Sequence, residues 1–118
     1  MSEKYNLISI QQWIDKISGS DLYPHLLAQL QKDIKRAGIE CDIEDELKPV
    51  DLVEKLHDLL VRKIQYAFNE YLNLLYAVDV SETEVKNIKS EDVVDITKQV
   101  TYLILKREWQ KVWYRNNI

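Results

Sequence analysis

A chain of 118 residues that is 46% apolar and 31% charged can fold as one soluble domain with its own core, and it is too apolar to stay disordered. Its formal charge of -4 argues against a dedicated DNA-binding domain, whose electrostatic footprint is basic. The single cysteine, Cys41, excludes an internal disulfide and suits a reducing compartment, so a cytoplasmic location is expected.

The opening segment MSEKYNLISIQQW has neither the long apolar stretch nor the small-residue cleavage site of a signal peptide. The longest apolar run, residues 74–78, is five residues, against the roughly 20 needed to span a bilayer. No membrane association is expected.

Two glycines and two prolines punctuate the chain. Gly19 and Gly38 each follow an amphipathic run, and Pro24 and Pro49 each fall in the first turn of a new one. That is the asymmetry of helices, because glycine takes the left-handed conformation after a helix cheaply and proline has no first-turn N–H to lose.

A first helix is predicted over 10–18, with Ser9 as N-cap and Gln12 completing a capping box; Ile10, Trp13, Ile14 and Ile17 share one face. A second runs over 22–37, capped by Asp21 or Tyr23, with Leu26, Leu27, Leu30 and Ile34 inward. Gly38 ends it, and Ile39 is placed for the apolar contact that accompanies such a cap. Residues 39–48 carry five acids and no helical stripe, which predicts an extended segment laid over a bundle.

A third helix is predicted as one rod over 49–78, about 45 Å long. Its stripe is Val53, Leu56, Leu60, Ile64, Ala67, Tyr71, Leu75 and Val78. The connector 79–90 holds a short helix with a capping box of Ser81 and Glu84. Ser90 is expected to cap the last helix, 91–116. The fold class is therefore all-α: one domain over 1–118, a bundle of four main helices plus a short one. Its long antiparallel hairpin is formed by the third and last main runs, 49–78 and 91–116. Rings of Tyr71, Tyr76, Tyr102 and Trp109 are expected to anchor one end.

The last helix carries the most suggestive pattern. Val93, Ile96, Thr97, Val100, Leu103 and Ile104 share a face that turns charged further on, at Arg107, Glu108, Lys111 and Arg115. Apolar residues return on another side, Leu105, Trp109, Val112 and Trp113, a shift of about 130°. Either the first helix covers this second patch with Trp13, or another chain does. Trp, Tyr and Arg are the residues enriched where proteins bind one another. Arg107, Trp109, Lys111, Trp113 and Arg115 are thus the candidate contact residues for a protein partner or a second copy.

Charge is uneven as well. Residues 40–58 hold eight acids and two bases; residues 98–115 hold five bases and one acid. The two segments could neutralise each other, steer a charged partner, or, for the basic and aromatic helix, hold single-stranded nucleic acid. Nucleic acid is the weaker expectation given the overall charge.

Catalytic and metal patterns are thin. Glu54 and His57 have the spacing of a di-iron motif, but such a site needs a second motif and two more carboxylates. His57 also falls inside the apolar stripe, as a core histidine would. His25, His57, Asp58 and Asp95 follow the order of a helical metal-dependent hydrolase, but Asp58 points about 100° from His57. Cys41 sits among acids, which disfavour a thiolate. Two glycines nineteen residues apart make no phosphate loop. Asn69, Glu70 and Asn73 are polar positions on the third helix with no pattern of a site. Neither a cofactor nor a metal is expected.

The words YLNLLYAVDVSE (71–82) and LILKREWQKVWYRN (103–116) resemble a group of small helical proteins of Bacteroidetes to which no function is attached. The resemblance implies a cytoplasmic bacterial protein and carries over no catalytic residue.

Overall fold

Helix α1 (Leu7–Ser18) starts three residues earlier than its sequence suggests. Asn6 is the N-cap: its Oδ1 accepts from Ser9 N at 2.9 Å while Ser9 Oγ accepts from Asn6 N at 3.2 Å. Ser9 is therefore the far half of a capping box and not its start. The computed structural model describes residues 6–117, and among these it contains six helices and no strand.

Helix α2 (Tyr23–Arg36) follows a tight turn. Neither Asp21 nor Tyr23 caps it; the N-cap is Leu22, without a side-chain bond, and Pro24 sits in the first turn. Gly38, at φ 80°, ends the helix in a Schellman motif: Ile39 N–H reaches Ile34 O at 3.2 Å and Gly38 N–H reaches Lys35 O at 3.0 Å. Ile34 and Ile39 are both buried, as the cap requires. Gly19 stays right-handed at φ -77°, so its left-handed option goes unused.

The segment 39–48 runs outside any helix, with a turn at 45–46, and is tied down at two points. Gln31 of α2 acts as a side-chain strand, donating to Cys41 O (2.9 Å) and accepting from Ile43 N (2.6 Å). Tyr23 donates to Leu47 O at 2.6 Å. Ile39, Ile43 and Leu47 are buried beneath it.

The 49–78 rod does not exist. The chain forms α3 (Pro49–Tyr66) and α4 (Phe68–Val78), broken at Ala67 with φ -149° and ψ 62°. No proline or glycine marks the break, and alanine is the best helix former, so tertiary burial overrides local preference here. A 30-residue rod would be about 45 Å long, whereas the longest dimension of the molecule is 37 Å. The break lets Tyr71, Leu74 and Val78 all enter the core. Ala67 serves both helices, donating to Lys63 O and accepting from Glu70 N and Tyr71 N. Lys63 and Glu70 form an ion pair across the break at 2.6 Å.

Helix α5 (Glu82–Lys86) is the short helix of the connector. Ser81 accepts from Glu84 N at 3.3 Å, but Glu84 turns its carboxylate to Lys106 instead of closing a capping box. Helix α6 (Val93–Asn117) begins two residues later than expected. Asp92 precedes it, its Oδ1 accepting from Val94 N at 3.4 Å, while Ser90 accepts from Asp92 N.

Helix α6 packs against α3, α2 and α4; α1 packs on α3, and α2 on α4. In place of a single hairpin partner, α6 thus has three neighbours. The aromatic anchor is partly as expected: Tyr71 is buried and Tyr102 and Trp109 pack on the core, but Tyr76 is 70% exposed. No helix among the described residues is long and apolar enough to cross a membrane.

Candidate functional site

Along α6 from Leu105, the residues on the inward side are Leu105, Glu108 and Val112, at i, i+3 and i+7. All three are fully enclosed, so the inward side follows the returning apolar residues Leu105 and Val112, and of the charged face only Glu108 is buried with them. On α2 the inward row Leu26, Gln29, Leu30, Asp33 and Ile34 has the same spacing. Where the two helices meet, Asp33 and Glu108 are both at 0% exposure. Burying two carboxylates together is unfavourable unless charge is removed or matched.

Both remedies are present. Asp33 Oδ2 accepts from Lys111 Nζ at 2.6 Å and from Gln29 Nε2 at 3.1 Å, and Asp33 Oδ1 meets Arg36 NH1 at 3.3 Å. Lys111 Nζ also lies 2.8 Å from Glu108 Oε1, but outside hydrogen-bond alignment, and neither Glu108 oxygen accepts a hydrogen bond. Burial first, and then the bond to Asp33, push the Glu108 carboxyl up to about 8 against the opposing pull of Lys111. For Asp33 burial acts upward, but the hydrogen bonds from Glu108, Lys111 and Gln29 together bring it below the usual aspartate value. Burial and the neighbouring Asp33 thus favour the protonated form of Glu108, beside an Asp33 carboxylate that Lys111 neutralises.

The five residues singled out on α6 diverge from this centre. Lys111 is inside it, with its side chain 19% exposed. Arg115 extends along α2 and donates to Gln29 Oε1 at 2.9 Å. Arg107 turns the other way, to the end of α4, binding Asp79 O at 3.1 Å and Asp79 Oδ2 at 3.0 Å. Trp109 is half-buried against the core, whereas Trp113 is 46% exposed. Trp13 of α1 meets Tyr102 (centroids 5.3 Å apart), and Trp113 stands edge-on to the exposed Tyr114 at 5.7 Å.

Two charged residues central to the site, Asp33 and Glu108, escape a sequence reading because charged positions are taken as surface. Their spacing was the available signal: each falls in phase with buried leucines of its own helix. The bases Lys106, Arg107 and Lys111 pair with Glu84, Asp79 and Asp33, not with the acidic segment 40–58, where Glu44 pairs with Lys55.

The other candidates do not converge. His57 is buried and its Nε2 lies 2.9 Å from Thr97 Oγ1. Thr97 Oγ1 also lies 2.8 Å from Val93 O and 3.0 Å from Val94 O, so His57 joins a hydrogen-bonded cluster at the start of α6. His25, Glu54 and Asp58 are exposed. Among the described residues no group of three or more His, Cys, Asp or Glu side chains is arranged to hold a metal. Burial pushes the Cys41 thiol up, with Lys55 and Arg62 opposing, which disfavours the nucleophilic thiolate. The shallow cleft between Asp79, Ser81, Glu84, Lys106 and Arg107 is spanned by the Arg107–Asp79 and Lys106–Glu84 pairs.

Compared with known proteins, the chain matches no family, no curated protein and no solved structure. Its chemistry rests on its own residues.

Proposed function

We propose that this chain is a non-enzymatic, cytoplasmic protein that works by binding another protein, with the last turns of α6 as the contact. One observation carries the reading: Trp113 and Tyr114 lie exposed, edge to face, on a helix that is clamped to α2 just behind them by Lys111 and Arg115. A large aromatic pair held on a rigid element forfeits little entropy on binding, which is why such residues dominate protein contacts. Of the five residues expected there, Trp113 and Arg115 present themselves to a partner, while Arg107, Trp109 and Lys111 support the helix from behind. The acid pair Asp33–Glu108 has the contrasting ionisation of a catalytic dyad, but both groups are enclosed and so support a structural role.

The test is affinity capture from a cell extract with the wild type and with Trp113→Glu/Tyr114→Glu. Both changed side chains are exposed, so the helical circular dichroism should persist. A specific protein held by the wild type and lost by the folded variant is the expected result. Capture that survives both changes would remove these residues from the contact. Capture abolished by nuclease would move the reading to nucleic acid.

A further inference from the structure

The seam between α2 and α6 sorts its charges by depth. Asp33 is the only acid of α2, and Glu108 the only acid of α6 after Asp95; both are fully enclosed. Bonds run in one row along α2: Arg36 NH1 to Asp33 Oδ1 at 3.3 Å, Gln29 Nε2 to Asp33 Oδ2 at 3.1 Å, and Arg115 NH1 to Gln29 Oε1 at 2.9 Å. At 100° per residue Lys32 lies about 40° round α2 from Arg36 and about 60° from Gln29, on the same rim. Lys32, Arg36 and Arg115 are all exposed, and Lys32 has no ion-pair partner among the described residues. On α6 the exposed Tyr114 stands one turn beyond Lys111 and about 60° round from it. The rim thus presents bases and an aromatic ring and no exposed acid, in a chain whose formal charge is -4. The chain's own acidic segment does not cover it: Gln31, which holds Cys41 and Ile43, lies about 160° round α2 from both Gln29 and Asp33.

We propose that this rim binds an acidic segment of a partner protein, whose carboxylates meet Lys32, Arg36 and Arg115 and whose apolar side chains cover Trp113 and Tyr114. The proposal rests on the α6 contact described above and names the chemistry of its partner. Guanidiniums pair with carboxylates through two parallel bonds. Arg36 and Arg115 are each already held from below by one bond, which limits the freedom they lose when a carboxylate arrives.

The dimensions suit a short peptide segment. From Arg36 to the level of Gln29 and Arg115 the rim follows α2 for about 10 Å, which an extended segment of about four residues spans. Opposite charge across such a contact steers encounter and selects the partner. A nucleic acid is the poorer fit, because its charge repeats along a long backbone. This track is short, and the other side of α2 meets the acids of 39–48.

The test is fluorescence anisotropy of a labelled peptide of glutamates with two central leucines, titrated with the full chain at low salt. Binding should weaken as salt rises. Lys32→Glu and Lys35→Glu make the same change of charge on exposed lysines of one helix. Lys35, however, lines a cleft with Glu40 and Asp42, away from the rim. Lys32→Glu should weaken the peptide about fivefold or more, since like charges then face each other, and Lys35→Glu should leave it within about twofold. Equal losses would reduce the rim to general attraction and overturn the proposal. So would no binding at about 1 mM chain, or tighter binding of an oligothymidylate of equal charge. The two readings fail separately. A protein captured from extract that is lost by Trp113→Glu/Tyr114→Glu but kept by Lys32→Glu would leave the α6 contact standing and discard its acidic partner. Peptide binding lost by Lys32→Glu but unchanged by Trp113→Ala/Tyr114→Ala would overturn the aromatic contact alone.

Discussion

In the N-terminal half of α6, Thr97 and Thr101 are fully buried, and each gives its hydroxyl proton to a carbonyl of its own helix, Thr101 to Thr97 O at 2.7 Å. His57 of α3 docks on the Thr97 hydroxyl at 2.9 Å. In the C-terminal half Glu108 is equally enclosed, but its partners are a second carboxyl and a lysine from α2 and its own helix. The first half buries two threonine hydroxyls that need no outside partner, together with one carboxyl, Asp95, whose Oδ1 has none. The second half needs Asp33, Glu108 and Lys111 all present, with the right number of protons. One helix thus joins a half with no buried ion pair among the described residues to a half held by the Lys111–Asp33 pair, and the two should fail in different ways.

The largest expected effect comes from breaking the charged half. Asp33→Ala removes the carboxylate closest to Lys111, at 2.6 Å, and leaves it only the fully enclosed Glu108 at 2.8 Å. Removing one member of a buried ion pair costs about 3–5 kcal/mol, which denaturant unfolding followed by circular dichroism would read directly. Replacing both ends, Asp33→Leu with Lys111→Met, should recover most of that loss, because no unpaired ion remains. A double variant as unstable as the single would mean that the loss comes from packing and not from charge.

The apolar half offers the matched control. Ile104 is fully buried beside Val100 and Leu105. Ile104→Ala should cost about 2–5 kcal/mol through lost transfer energy and the cavity left behind. The loss should be the same at about pH 5 and about pH 9, since no proton is exchanged at that site. A penalty that changes with pH would show that the two halves of α6 are coupled.

The helix ends and inward rows are legible in the sequence, and the two charged groups of this contrast are not, for a definite cause. Pro24, Pro49 and Gly38 mark helix ends because their backbones permit few alternatives, and all three stand where expected. The inward rows Ile10–Ile14–Ile17 and Leu26–Leu30–Ile34 are also as read. The break at Ala67 was not readable, because its residue favours helix and the reason lies in what Leu74 and Val78 reach afterwards. Asp33 and Glu108 were missed for a related reason. A charge in an apolar row reads as an edge of the stripe until the facing helix supplies its partner. Lys111 reads as surface in the sequence; it is Asp33 of α2 that draws its ammonium inward, while Arg115 stays exposed and reaches Gln29 along α2.

Glu108 also sets the sign of the pH response. Its carboxyl is pushed up to about 8 in the fold, from an ordinary value of 4.5. The folded protein therefore holds a proton that the unfolded chain gives up between those values. Stability from this group is complete below about pH 4.5, falls as pH rises, and is lost above about pH 8. The limiting slope is about 1.4 kcal/mol per pH unit. Asp33, held below its usual value, acts in the opposite sense and withdraws stability only at acid pH, below about 4. Glu108→Gln keeps a donor toward Asp33 but cannot ionise. The variant should match the wild type near pH 5 and melt higher near pH 8, so that the two thermal profiles separate as pH rises. Parallel profiles would mean that Glu108 is ionised throughout.

The smallest effect tests the other tether of the charged half. Asp79 closes α4 at φ 71°, a left-handed position that side chains other than glycine and asparagine rarely take. Its N–H bonds Tyr76 O at 3.2 Å, and the next amide, Val80 N–H, bonds Leu75 O at 3.0 Å, so the turn is a Schellman motif built on an aspartate. Arg107 holds this turn from α6 through two contacts, one to the backbone carbonyl and one to the carboxylate. Asp79→Gly relieves the left-handed strain, about 1 kcal/mol, and loses only an exposed ion pair worth about 0–1 kcal/mol. The carbonyl contact needs no side chain and survives. The substitution should therefore leave stability unchanged or raise it by less than about 1 kcal/mol, and high salt, which weakens the wild-type ion pair, should widen the difference in favour of glycine. A clear destabilisation would mean that the Arg107–Asp79 carboxylate contact fixes α6 against α4 more strongly than its exposure suggests, and that both sides of this half of the helix depend on charge.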